Sequence, residues 1–217
     1  VKLLSKKEVA EKTTAFFFTK PKNFKFTPGQ FIEIHLNPIR SKGALRALAA
    51  SNGASKTLTH EFSIASSPKE KELMITTRMR PSAFKNYLKN LKIGSRVKIG
   101  GPFGQFVLHK NKKIPAVLLA GGIGITPFRS MIKEFTNRKI NLFYSNRKPK
   151  DAAFLDELKK MENKNFKLAA IMTGLTGHIN QKMIKNNLDD WKRSIYYAVG
   201  STGFVQTMAD MLSEMKI

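Results

Sequence analysis

The segment Gly121-Gly122-Ile123-Gly124-Ile125-Thr126-Pro127-Phe128 narrows the folds open to this chain more than any other. It follows directly on the apolar run Pro115–Ala120 and opens the stretch Pro127–Asn137, where Phe128, Met131, Ile132 and Phe135 recur on one helical face. An uninterrupted apolar strand is what a sheet covered on both faces requires. Glycines let the backbone approach something that a Cβ would obstruct, and proline suits the first turn of a helix. The helix start then offers free N–H groups and a positive dipole end to an anion such as a pyrophosphate. The same turn also serves simply to make a tight corner, and its spacing is not the common G-x-G-x-x-G.

The strand–helix alternation continues to the end of the chain. Strand Ile140–Tyr144 leads to a helix near Asp151–Met161, Lys167–Met172 to one near Gln181–Leu188, and Ile195–Val199 to one near Gly203–Met215. This alternation predicts a parallel sheet with helices on both sides. Residues 1–110 read differently, as short strands at Thr13–Thr19, Phe31–Leu36, Glu61–Ala65, Leu73–Arg78, Arg96–Ile99 and Gln105–Leu108. One helix, Ser82–Asn90, interrupts them, with Ser82 as cap and Phe84, Tyr87, Leu88 and Leu91 at helical spacing. The small-residue stretch Gly43–Ser55 reads as a mobile loop, with room for a helical turn around Ala44–Ala50. The expected architecture is therefore a two-domain β + α/β chain: a six-stranded antiparallel β-barrel over 1–110, then a Rossmann-like parallel αβα sandwich over 111–217. The boundary falls in the Lys-rich link His109–Lys113.

With 217 residues, 41% of them hydrophobic, the chain can bury a core in either half. Cysteine is absent, which removes disulfides, thiolate zinc sites, cysteine nucleophiles and iron–sulfur clusters ligated by this chain. No long apolar run and no signal-peptide pattern stand in the sequence, so a soluble cytoplasmic protein is expected. The net charge of +24 attracts polyanions in general. Its lysines, among them Lys2, Lys6, Lys56, Lys112, Lys159 and Lys185, are spread along the chain without a nucleic-acid motif, so no nucleic-acid partner is expected. A solvated basic surface and steering toward an acidic partner, or at most peripheral contact with an anionic membrane, are the two readings left.

A second motif, His60-Glu61-Phe62-Ser63-Ile64-Ala65-Ser66-Ser67-Pro68, lies on a strand of the first half. There Phe62 can lie against a flat ring, Ser63 can donate to a ring nitrogen and His60 can approach a phosphate. Equally, Phe62 and Ile64 can be core residues with His60 on the surface, as periodicity alone suggests. His60-Glu61-Phe62-Ser63 resembles the Arg-x-Tyr/Phe-Ser/Thr flavin motif of the ferredoxin–NADP reductase superfamily, in its His-x-Phe-Ser/Thr form. The resemblance continues in family order. Arg80-Pro81-Ser82-Ala83-Phe84-Lys85 resembles its phosphate-binding helix start, Gly101-Pro102-Phe103-Gly104-Gln105-Phe106 its G-P-x-G-x-F turn, and Gly121–Phe128 its dinucleotide turn. Tyr144-Ser145-Asn146-Arg147 and Tyr197-Ala198-Val199-Gly200-Ser201 take the places of two later cofactor loops, so the resemblance covers essentially the whole chain.

The resemblance implies an FAD-dependent NAD(P)H oxidoreductase that moves a hydride between nicotinamide and FAD. The electrons then pass singly to or from a small acidic redox protein such as ferredoxin or flavodoxin, or to a small-molecule acceptor. It places His60, Glu61, Phe62 and Ser63 at the flavin, with Ser63 near N5 as the catalytic group. Ser82, Ala83, Phe84 and Lys85 fall at the FAD pyrophosphate, and Thr76, Thr77 and Arg78 on its adenine side. Gly121, Gly122, Gly124, Thr126 and Pro127, with Gly200 and Ser201, are placed at the dinucleotide. Arg147 follows the second strand of the parallel sheet, where a 2′-phosphate would lie; no acidic residue there claims a ribose diol, which favours NADPH and leaves NADH open. Many relatives carry Cys where Val199 stands, and many continue past the position of Ile217, so a non-catalytic FAD-binding module is a further reading. His35, His109 and His178 lack metal-ligand spacing and read as structural or surface residues, so no metal site is expected.

Overall fold

A computed structural model describes residues 1–37 and 57–217. The expectation for Gly43–Ser55 lies outside the described residues. The first half contains β1 (Leu3–Ala10), β2 (Thr13–Thr19), β3 (Phe31–Leu36), β4 (Leu58–Ser63), β5 (Glu72–Arg78), helix α1 (Ala83–Asn90) and β6 (Lys98–Phe103). The strands form two three-stranded antiparallel sheets, β1-β2-β5 and β4-β3-β6. Corner bonds join the sheets: Leu3 N–H to Ser95 O and Val97 N–H to Val1 O at one end, and Ala65 N–H to Met74 O (2.8 Å) at the other. Alternate residues then face a common interior, where Phe16, Phe18, Ile32, Ile34, Ile64, Leu73 and Ile75 are fully buried.

Two strands are displaced, Leu58–Ser63 standing for the expected Glu61–Ala65 and Lys98–Phe103 for Arg96–Ile99, and two segments differ outright from expectation. Leu3–Ala10 is a strand, although Ser5, Lys6, Lys7 and Glu8 give it little apolar alternation; it lies at a sheet edge against β2 and sets only Leu3 fully into the core. Gln105–Leu108 is not a strand. Its apolar side chains are drawn to the second half instead: Phe106 packs on Phe128 and Tyr197, and Leu108 joins the core of the parallel sheet.

The second half is the predicted alternation. Strands β7 (Ala116–Gly121), β8 (Ile140–Asn146), β9 (Phe166–Met172) and β10 (Ile195–Val199) form a four-stranded parallel sheet in the order β10-β7-β8-β9. Strand β7 is apolar throughout because both faces are covered. Leu118 and Ala120 pack with Phe128, Met131 and Ile132 of α2 (Ile125–Glu134) and Leu158 of α3 (Leu155–Lys160). Val117 and Leu119 face the other way, toward Ile184 of α5 (Gln181–Asn187) and Met208 and Met211 of α6 (Thr202–Glu214), while the short α4 (Thr173–Thr176) closes the end of β9. Among the described residues no helix is long and apolar enough to cross a membrane.

Between the halves the chain is pinned. His109 bonds to the Tyr197 hydroxyl through its N–H (2.8 Å) and its ring (2.9 Å), and Arg138 donates to the His109 carbonyl at 2.6 Å. The halves meet along β2, β5 and the β4–β5 connection. A small apolar patch of Ala15, Ala65 and Met74 receives Phe154, and an ionic cluster of Arg129, Lys133, Glu70 and Glu157 flanks it. Burial pushes both carboxyls up, but hydrogen bonds and charge from Arg129 and Lys133, with the Ser67 N–H on Glu70, outweigh it and hold both below the usual range.

Because these carboxyls titrate lower in the folded than in the unfolded chain, their contribution is complete above the ordinary value of 4.5 and is lost as pH falls through their folded values. The thermal midpoint should therefore lose this contribution only below that pH, and Glu70→Gln should shrink the acid-side loss. Scanning calorimetry of both proteins across acidic pH checks this; identical acid profiles would contradict it.

Candidate functional site

Strand β4 presents its motif by alternation. His60 and Phe62 sit opposite Ile34 and Ile32 and share their face, while Glu61 and Ser63 lie on the other face with Glu33 and Phe31. Phe62 is 7% exposed and belongs to the barrel core, as periodicity alone suggests. The His60 ring stacks on it at 4.7 Å and 20°, and Phe84 of α1 tilts against both, 5.3 Å from His60 and 5.6 Å from Phe62. Strand and helix start therefore converge on one aromatic cluster. The Ser82 side chain caps α1 by accepting from the Lys85 N–H at 3.1 Å. Burial, and then the neighbouring Arg80, lower the Lys85 ammonium pKa, and its Nζ donates to the Arg78 carbonyl at 2.9 Å. Cationic side chains crowded at a helix start, with Ala83 and Phe84 supplying the first N–H groups, suit an anion.

Of the residues expected at the adenine side, Arg78 is joined to this cluster through its carbonyl. Thr76 and Thr77 are buried, and Arg78 reaches across to the Asp151 carbonyl at 3.5 Å. The Thr76 hydroxyl is buried without a partner, and β5 packs against the glycine turn of the other half.

On that other half, Gly121 ends β7, Gly122–Gly124 form a single 3₁₀ turn, and α2 follows. Gly122 has φ +54°, a left-handed conformation, with open space where a Cβ would stand. At Gly124 the constraint is contact: a Cβ would overlap the Val199 carbonyl and lie 2.9 Å from the Gly200 nitrogen. Thr126 is buried and donates to the Ile123 carbonyl at 3.1 Å, with Pro127 beside it in the first turn. Ser201 caps α6 by accepting from the Phe204 N–H at 3.3 Å. Phe204 is the residue that sequence reasoning missed. Its ring fills the gap between the two loops, 2.8 Å from a Cβ placed on Gly121 and 2.6 Å from one on Gly200. The available signal was an aromatic in the first helical turn directly after a Gly-Ser loop.

Arg147 is exposed at the end of β8 and lines a 460 Å³ groove with Lys148, Pro149, Lys150, Gly174 and Leu175. Lys150 pairs with Glu11 of the barrel at 2.7 Å, whereas Arg147 and Lys148 have no acidic partner among the described residues. Asn146, at the floor of this strand end, is 5% exposed with both amide atoms unpartnered. The open space at Gly122, a basic groove at the neighbouring strand end and orphaned polar atoms suit a phosphorylated dinucleotide, whereas the spaces at Gly121, Gly124 and Gly200 are taken up by Phe204 and the Val199 carbonyl.

Residues 1–108 match the model of an oxidoreductase FAD-binding domain and residues 118–210 that of an oxidoreductase NAD-binding domain. The chain belongs to the ferredoxin–NADP reductase superfamily. Its relatives include the glycine betaine monooxygenase reductase component of Chromohalobacter salexigens, 26% identical over 93% of this chain and 56% of that protein. A flavohemoprotein of Dictyostelium discoideum is 25% identical over 92% of this chain and 53% of that protein. The chain thus spans about half the length of these curated relatives. Its fold is that of the FAD/NAD-binding domain of nitric oxide dioxygenase from Vibrio cholerae, with TM-score 0.80 and 18% identity over 100% of this chain and 93% of that one. It is also that of ferredoxin-NADP+ reductase from Plasmodium falciparum, with TM-score 0.76 and 19% identity over 98% and 88%. This superfamily member carries an FAD-binding antiparallel half ahead of an NAD-binding parallel half.

The two glycines of the turn should respond differently to alanine. Gly124→Ala forces the β10 end away from α2 and should destabilise by about 1–3 kcal/mol or more. Gly122→Ala meets only left-handed backbone strain of roughly 1–2 kcal/mol, with no clash. Urea unfolding of both variants checks the order, and an equal or reversed cost would refute the crossing as the tighter constraint.

Proposed function

We propose that this chain is an FAD-dependent NAD(P)H oxidoreductase of the ferredoxin reductase type, acting in the cytoplasm. On this reading a hydride moves between nicotinamide and FAD, and single electrons move to or from a small acidic redox protein such as ferredoxin or flavodoxin. We further propose domain limits of 1–110 and 111–217. The observation that carries the reading is the seam. The β4 segment that bears Phe62 and Ser63 runs straight into Ala65 and Ser66, which are bonded to α2, and α2 begins at the Gly122–Gly124 turn. This continuity across the seam supports a flavin site and a dinucleotide site facing each other, the arrangement that hydride transfer requires.

When bound, FAD supplies the conversion between a two-electron hydride and single electrons. The chain's own part is to bind, orient and exclude water. His60, stacked over the buried Phe62 and Phe84, offers the exposed aromatic surface, Glu61 lies at the rim, and Ser63, half-buried on the opposite face of β4, is the hydroxyl offered to the flavin ring edge. Ser82, Ala83, Phe84 and Lys85 form the pyrophosphate end, while Thr76, Thr77 and Arg78 belong to the wall shared with the other half. Gly122 is the position open to the dinucleotide; Gly121, Gly124, Thr126 and Pro127 shape the turn that would carry it, and Gly200 and Ser201 form the loop beside that turn. The acid-free pair Arg147 and Lys148 in the groove supports NADPH over NADH. The charge of +24 supports an acidic partner.

Anaerobic titration of FAD-loaded protein with each nucleotide tests the reading. NADPH should bleach the flavin absorbance, and Arg147→Ala should raise the KM for NADPH by about tenfold while leaving that for NADH little changed. Protein that stays colourless with added FAD would sink the proposal. Turnover that is indifferent to salt with an acidic redox protein, and fast with soluble ferric chelates, would move it to a small-molecule acceptor.

A further inference from the structure

We propose that Arg129 is a positioning residue for hydride transfer, a planar clasp that fixes the angle at which the β4 segment and the glycine turn face each other; this rests on the oxidoreductase reading above. Arg129 lies on α2 and is 5% exposed. Its guanidinium has five N–H donors, and each has an acceptor. Nε donates to Glu157 Oε2 at 2.8 Å, Nη1 to the Ala65 carbonyl at 2.7 Å and Glu70 Oε2 at 3.0 Å, and Nη2 to Glu70 Oε1 at 3.1 Å and Glu157 Oε1 at 2.6 Å. Ala65 and Glu70 belong to the barrel, whereas Glu157 belongs to α3 of the parallel half. One side chain therefore grips both halves, and the neighbouring Ser130 hydroxyl adds a buried bond to the Ser66 carbonyl at 2.7 Å.

The apolar contact at this seam is small and non-directional, so it holds the halves together without setting their angle. A fork of fixed geometry does set it. The placement is what links the clasp to chemistry. Ala65 is separated from Ser63 only by Ile64, and Arg129 rides on the helix that starts at the glycine turn, so a tilt at the clasp moves both reacting sites with short lever arms. Charge balance points the same way: Arg129 and Lys133 face Glu70 and Glu157, and Lys133 spans both carboxylates at 3.1 Å. Lysine at 129 would keep the charge but not the fork.

The test uses the full chain with FAD and the variants Arg129→Lys and Glu70→Gln. Hydrogen–deuterium exchange, without nucleotide, should show protection lost at Ser66–Glu70 and Ser130–Glu134, with the two cores unchanged. In anaerobic stopped flow, reduction of the flavin by NADPH should slow by ~10- to 100-fold at nearly unchanged nucleotide Kd, while reduction by dithionite stays at the parent rate. If Arg129→Lys does not fold, Glu70→Gln carries the test, since it leaves the bonds to Ala65 and Glu157 in place. Variants that match the parent in exchange and in hydride transfer, or that slow only in step with lost flavin, overturn the proposal. A parent that neither nucleotide reduces overturns the oxidoreductase reading instead, and the exchange data, which need no nucleotide, tell the two failures apart.

Discussion

A helix start and a strand end cross at Gly124 with no room for a side chain, and the parallel half of the molecule is arranged around that crossing. Helix α2 can begin directly beneath Val199 and Gly200 only because position 124 has no Cβ. The crossing brings β10 beside β7 in parallel register, from Ile195 against Ala116 to Val199 against Ala120. It also lets the Phe204 ring seal the gap between the two loops. A tight van der Waals constraint thus precedes any ligand: the turn is shaped by its neighbours in the chain, and the free N–H groups of the helix start are a by-product of that packing.

The distribution of charge follows a related logic. Acidic residues number 15 against 39 lysines and arginines. Several of those few acids are placed on or beside the seam: Glu11 with Lys150, Glu70 and Glu157 with Arg129 and Lys133, and Glu134 with Lys69. The outer surface is left strongly basic, and the place where opposite charges are gathered is where the two halves must meet in one orientation. Within this set, the partly buried pairs of Arg129 with Glu70 and Glu157 are screened less by salt than pairs on the open surface.

Much of the fold was legible in the sequence, and the reasons are local. Ile195–Val199 is read to the residue because an apolar run between polar turns has one interpretation inside a strand–helix repeat. Ser82 announced α1 by cap chemistry that depends on its near neighbours alone. Strand β1 escaped because a sheet edge tolerates Lys6, Lys7 and Glu8, and Gln105–Leu108 misled because its apolar residues pack across domains instead of pairing in a ladder. At the candidate site, the glycines and the β4 motif were readable as patterns. Arg129 was not: it looks like any helix cation until the fold brings Glu70, Glu157 and Ala65 to it from distant parts of the chain. Phe204 was hidden similarly, since its partners are two glycines with no side chain to signal contact.

The knot of His109, Tyr197 and Arg138 gives the connection between the halves a particular mechanical character. The residues that join them are stitched to β10 and to the α2–β8 turn, while Leu108 is already part of the parallel half's core. A tether of this kind stores little slack. Melting β10 or the α2–β8 turn would release the connecting segment at once, and with it the Phe106 contact that reaches back from the G-P-x-G-x-F turn. The two halves are therefore expected to behave as one cooperative unit, in which loss of structure in the parallel sheet is transmitted to the barrel through the backbone as well as across the seam.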